Sequence, residues 1–227
     1  MARLTGSVLG NLRGKLGNLS ARTVEGKTIL SARPSSFNLS QTPESIEARK
    51  RFGISGNFSK FITDNEDLAQ IWKKEKLPGM SVFNTVFKIN YPYSSPDRPT
   101  EDNIITPGGF SLPVTDATLG ADNLALELGA LDTVAVISPD EVDLSIAALI
   151  VYHNPTNPDD IQYRVINLAK AEANFDFSTA YTGAISLDVV QQSIAAKYQN
   201  SILYLAVVSK SAEGNVVQYS ATFTQQS

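Results

Sequence analysis

The chain has 227 residues, 42% hydrophobic and 19% charged, with a formal net charge of −4. That is enough material for a substantial core, in proportions ordinary for a globular protein. It contains no cysteine, which excludes disulfides, thiolate catalysis and cysteine-held zinc or iron–sulfur sites.

No apolar run reaches the ~18 residues of a membrane span. The start MARLTGSVLGNLRGK is basic, but Gly, Asn and Arg interrupt any apolar stretch, so no signal peptide is expected. Synthesis and folding in a cytoplasm follow as an expectation. Charge is unevenly placed. Residues 1–60 hold ten Lys/Arg against three Asp/Glu, a net +7; residues 101–227 hold four against fifteen, a net −11. Such polarity suggests an electrostatic task for each end, with a solvated arm as the plainer alternative.

In chain order, Met1–Gly17 is a glycine-punctuated arm with no regular element assigned. Leu16–Val24 and Lys27–Ala32 alternate around Glu25-Gly26 and read as a β-hairpin. A lone hairpin is marginal in water and needs support from elsewhere. Thr42, Pro43 and Glu44 form a helix start, and the helix runs to Ile62 with Gly53 and Gly56 as weak or close-packed points. A second helix covers about Asn65–Lys76, acidic first and basic last, with Leu68, Ile71 and Trp72 on one face. A third, shorter one covers Met80–Tyr91. Residues 92–107 contain several prolines and read as a linker.

From Gly108 the texture becomes β. Strands are expected over Phe110–Thr115, Leu119–Leu128, Glu141–His153, Asp160–Lys170, Ala184–Val190, Ile202–Lys210 and Val216–Thr224, with the last two joined as a hairpin. Residues 191–199 are left open between helix and strand. The predicted fold is α+β, mainly β: a basic extended arm and hairpin over 1–41, a helical segment over 42–91, a Pro-rich linker over 92–107, and an immunoglobulin-like antiparallel β-sandwich over 108–227. The sandwich is expected to fold alone, because the prolines isolate it.

Signals for chemistry are weak. Gly10–Leu16 has three residues between its glycines and leucine where a phosphate loop needs Ser or Thr. His153, the single histidine, sits in a Tyr-His-Asn-Pro turn and is read as a turn residue. Asp140, Glu141, Asp143, Asp159 and Asp160 lack calcium-loop spacing and are read as solvated loop acids. The expectation is a non-enzymatic protein with no catalytic, cofactor-binding or metal residues and no cofactor. Assembly contacts are expected at Leu9, Arg13, Lys15, Arg22, Lys27, Arg33, Arg49, Lys50 and Arg51, through strand addition and charge matching.

Two long motifs carry a resemblance. GKLGNLSARTVEGKTILSARP, followed by SQTPESIEARKRFG with its R-x-x-F ending, resembles the opening of an uncharacterised protein family of Bacteroidetes and their phages. Pro107-Gly108-Gly109-Phe110-Ser111-Leu112, Val151–Pro155 and the Y-x-A-x-x-S…G-x-x-V-x-x-S pattern of Tyr204–Ser220 extend it over most of the chain. His153 is inserted where the pattern has Tyr followed directly by Asn-Pro. The resemblance implies no activity. It favours a prophage or phage structural gene, and the expected role is a virion structural protein made in the host cytoplasm: a head–tail connector ring subunit, a tail protein or an auxiliary capsid protein. Its partners would be further copies of itself and other virion proteins. Nucleic acid is a less favoured partner for the basic segment, and no membrane is expected. The alternative is a β-sandwich module that binds glycan or protein at a bacterial or virion surface.

Overall fold

The computed structural model describes residues 2–4, 13–24, 26–34, 36 and 38–227. By contacts the chain divides into two compact units, Met1–Ile46 and Glu47–Ser227. The first is built on the expected hairpin. Strands β3 (Leu19–Val24) and β4 (Lys27–Ala32) pair antiparallel, with Val24 opposite Lys27 across the turn. Gly26 takes φ 74°, a conformation that favours glycine.

The arm differs from its expectation. Ala2–Leu4 forms β1 and Gly14–Leu16 forms β2, giving a four-stranded antiparallel sheet of order β1-β4-β3-β2. The hairpin thus finds its third and fourth strands in its own chain. Alternation could not announce them, because each is three residues long. Leu9 lies outside the described residues. In this sheet Thr28 is the one buried side chain among those described, and it shares a 3.1 Å hydroxyl contact with Thr23.

The second unit is layered. Helix α1 (Pro43–Asp64) begins where the cap residues put it, with Thr42 Oγ1 accepting from the Ser45 amide at 3.4 Å. Helix α2 (Glu66–Lys74) is capped by Asn65, which accepts from the amides of Asp67 and Leu68. Helix α3 (Val82–Asn90) is capped by Ser81. Phe58, Ile62, Leu68, Ile71, Trp72 and Val86 turn inward from these helices and are fully buried.

They cover a five-stranded antiparallel sheet. Its members are β7 (Asp143–Pro155), β8 (Tyr163–Glu172), β10 (Tyr198–Lys210), β11 (Val216–Tyr219) and β12 (Phe223–Gln226). The order is β11-β10-β7-β8, with β12 pairing the other end of β10. On its far face lies a three-stranded sheet, β5-β6-β9, made of Val114–Leu119, Asn123–Leu128 and Tyr181–Ser186. Residues 189–195 form a short helix α4 whose Asp188 and Gln191 make a capping box; the strand expected over Ala184–Val190 therefore ends at Ser186, and the stretch left open at 191–199 divides between α4 and the start of β10.

The centre of the large sheet explains the long apolar runs. Leu144, Ile146, Ala148, Ile150, Leu203, Leu205 and Val207 pack toward the small sheet. Their alternates Ala147, Leu149, Val151, Ile202, Tyr204, Ala206 and Val208 pack toward the helices. A strand buried on both faces reads as an unbroken hydrophobic stretch.

Two expectations about organisation need correction. Residues 92–107 are packed rather than a free linker. Ser94, Asn103, Ile105 and Thr106 are buried, and Asn103 donates to the Asn90 carbonyl and side-chain oxygens. The Trp72 indole donates to Ile105 O at 2.8 Å, Tyr204 Oη to Thr100 O at 2.5 Å, and the amides of Ile105 and Thr106 to Thr222 Oγ1. The prolines therefore shape a fixed connector. Accordingly the compact unit starts at Glu47 and includes the helices, rather than starting at residue 108.

Candidate functional site

Strand register sorts the first unit's side chains into two faces. Lys15 lies opposite Ser20, Arg22 opposite Ile29 and Lys27 opposite Val24. Because strands alternate, Lys15, Arg22 and Lys27 share one face, with Ser20, Ile29 and Ser31. Leu19, Ala21, Thr23, Thr28, Leu30 and Ala32 occupy the other. The three cations are exposed. Arg13 stands just before β2 and Arg33 just after β4; both are exposed, and the Arg33 amide donates to Asn18 O at 2.7 Å. One face is therefore basic and the other carries leucines, alanines and the Thr23–Thr28 pair, and β1 and β2 are the sheet's two edges. Gly14–Leu16, the described end of the Gly10–Leu16 pattern, is one of those edges rather than a loop entering a helix; residues 10–12 lie outside the described residues.

Arg49, Lys50 and Arg51 belong to the second unit. Arg49 and Lys50 are exposed on α1; Arg51 is half-buried, with its Nε lacking a partner. Beside them Phe52 is 62% exposed and packs on Phe87 at 4.8 Å between ring centroids. Phe83 and Tyr91 continue that aromatic row along α3. The expected contact residues thus divide between the two units, and the register of the sheet unites Lys15, Arg22 and Lys27.

The end of the large sheet carries a polar hollow of about 390 Å³, lined by Asp97, Arg98, His153, Asn154, Gln162 and Asn200. His153 therefore has neighbours that its turn context did not reveal. Burial, and then the positive charge of Arg98, hold its imidazole below the ordinary histidine range. Asn154 takes φ 58° and donates through Nδ2 to Gln199 Oε1 and Asn200 Oδ1. Arg98 went unnoticed in the sequence because it lay in the supposed linker; its Nε is buried without a partner.

A further polar cluster lies between α2 and the sheet. Asp67 Oδ1 meets Lys210 Nζ at 2.5 Å, and Ser145 Oγ donates to Asp67 Oδ2 at 2.5 Å. Both Asp67 oxygens are thereby taken, one by the ammonium and one by the hydroxyl, which ties α2 to β7 and β10 as a strut. The loop acids likewise have local tasks. Glu141 accepts from the Ser138 amide and Gln218 Nε2, and Asp143 from the Asn174 amide. Among the described residues, no three His, Cys, Asp or Glu gather as a metal-binding group, and no helix is long and apolar enough to cross a membrane.

Comparison with protein-family models, with curated proteins and with solved structures found no match.

Proposed function

We propose that this chain is a non-enzymatic structural component of a phage virion, at the neck or portal, in the tail or on the capsid, and that it assembles through its N-terminal sheet. The observation that carries the assembly reading is a four-stranded sheet with Thr28 as its one buried described side chain. Apolar burial is the main driving force for ordering a chain. A sheet whose described side chains bury so little is expected to gain more from a neighbour, through its face of leucines, alanines and threonines or through its edges. The basic face supplies charge matching to an acidic surface, such as the −11 segment of another copy. The virion setting rests on the family resemblance, and localisation to the virion goes with it.

Within this reading we take the two stacked sheets as immunoglobulin-like. The order β5-β6-β9 over β8-β7-β10 with β11 and β12 follows an A-B-E and C′-C-F-G arrangement, with β11 and β12 sharing the last position. The helical layer on the larger sheet is an addition to that plan.

The test is assembly of the full chain, by sedimentation velocity and electron microscopy. Raising salt from ~0.1 M to ~1 M shortens the screening length from ~10 Å to ~3 Å and should weaken assembly. Reversing charge at Lys15, Arg22 and Lys27 together should abolish it, while the same change at Lys60 and Lys73 should not. A triple variant that assembles like the parent protein refutes the role of this face.

A further inference from the structure

The wall of the polar hollow comes from three places. Asp97 and Arg98 belong to the connector, His153 and Asn154 lie at the end of β7, and Gln162 and Asn200 stand beside them, just before β8 and on β10. Two of these groups carry donors that the chain leaves unused. Among the described residues the Arg98 guanidinium makes no hydrogen bond or ion pair, and neither does the His153 ring. Only Nε of Arg98 is covered; its two Nη atoms and both ring nitrogens of His153 stay uncovered in the wall.

The backbone under Arg98 is fixed. Ser95 Oγ donates to Arg98 O at 2.7 Å and accepts from the Arg98 amide at 2.9 Å and the Asp97 amide at 3.2 Å. The turn that presents the guanidinium is therefore set before a ligand arrives, which lowers the cost of binding. Asn154 spends its Nδ2 on Gln199 and Asn200, while Gln162 is exposed and its amide is free for a ligand. The unspent groups are thus mainly donors: two Nη groups, an imidazole N–H and the Gln162 amide. One carboxylate shares the wall, Asp97, which is exposed and bonds neither Arg98 nor His153 among the described residues. Glu101 and Asp102, further along the connector, are not in the wall. Ser227, whose carbonyl lies 3.5 Å from Asn200 Nδ2, lines a different cleft together with Tyr152. A guanidinium presents paired N–H donors that match two oxygens of a carboxylate or phosphate. At about 390 Å³ the hollow has room for a small molecule.

From these features we infer that the hollow binds a small ligand through one oxyanion group, a carboxylate or a phosphate, with Arg98 and His153 meeting the charge and Gln162 a neighbouring oxygen. The inference is independent of the assembly reading, because none of these residues belongs to the N-terminal sheet.

The experiment follows the Hε1 resonance of His153, the single histidine, in the full chain. Sodium phosphate and sodium acetate are titrated separately against sodium chloride at matched ionic strength. Phosphate or acetate should shift the resonance saturably, chloride should not, and the one that binds more tightly identifies the group. Arg98→Gln should weaken binding about tenfold or more, the loss of hydrogen bonds to a charged group, and Gln162→Ala, at an exposed position, about threefold. Arg164→Gln, also exposed but outside the wall, should leave the Kd unchanged. The bound anion should also raise the midpoint of the ring, because a negative charge favours the imidazolium. The other groups around the ring are Asp97 and Arg98 from the connector, Asn200 opposite it on β10, and Tyr163 opposite it on β8, whose hydroxyl burial keeps protonated. A response to neither anion beyond that to chloride, an equal Kd for either wall variant, the same loss in Arg164→Gln, or an unmoved midpoint each overturns the proposal.

Discussion

Asp67 is 8% exposed although it sits in a short outer helix. Its two oxygens are taken by Lys210 and Ser145, from β10 and β7. Removing one member of a buried pair strands the other, which costs more than the pair contributes. Asp67→Ala should therefore lower unfolding free energy by about 2–4 kcal/mol in urea titrations, whereas Glu66→Ala, one residue earlier, should change little. His153 offers a cleaner electrostatic test, because a single histidine gives a single Hε1 resonance. Its pKa is lowered by burial first and by Arg98 second. The folded state thus holds the neutral ring, and the unfolded state binds the proton more readily. The histidine's contribution to stability is present above the ordinary value near 6.5 and lost as pH falls toward the folded value. Arg98→Gln should raise the NMR midpoint part of the way back, leaving the burial component. An unchanged midpoint would show that Arg98 has no hold on the ring.

At the scale of elements, two glycines separate backbone need from mere tolerance. Gly109 precedes the short bridge between Phe110 and Ser220, and the Phe110 amide donates to Tyr219 O. It has φ 113°, and a Cβ there would stand 2.2 Å from Tyr219 O. Gly109→Ala should cost about 2–3 kcal/mol through backbone conflict alone. Gly53, midway along α1, is the opposite case: it is exposed, and an added Cβ meets nothing within 4 Å. The close-packing reading of that glycine does not apply. Gly53→Ala should stabilise the protein by about 0.5–1 kcal/mol through helix propensity, seen as a raised thermal midpoint. A loss at Gly53 would point to a partner packing there.

At the scale of the whole molecule, the large sheet has two apolar faces and only one lies on the small sheet. A fragment of residues 108–227 would bare Leu149, Val151, Ile202, Tyr204 and Val208, which α1–α3 and the 92–107 connector cover. Exposed Leu- or Ile-sized side chains forgo roughly 1.5–3 kcal/mol each. That fragment should show no cooperative thermal transition, while residues 47–227 should unfold as a unit. Trp72, the only tryptophan and fully buried against this face, reports the event by fluorescence. A cooperative transition from 108–227 would show that the small sheet alone suffices.

Local information in the sequence determined much of the element list. Thr42-Pro43 marked a helix start, Glu25-Gly26 marked a turn, and the runs through Ile146 and Leu205 marked central strands, because caps, turns and alternation act over a few residues. The same apolar runs did not disclose what covers each face. That depends on which distant helix docks there, and a strand buried on both sides loses its alternation. Edge strands as short as Ala2–Leu4 left no pattern to read, and their place follows from pairing with β4. The union of Lys15, Arg22 and Lys27 on one face, the meeting of Arg98 with His153 at one hollow and the Asp67 strut were decided by the tertiary structure. Each depends on strand register or on groups far apart in the chain, and local propensity does not encode those distances.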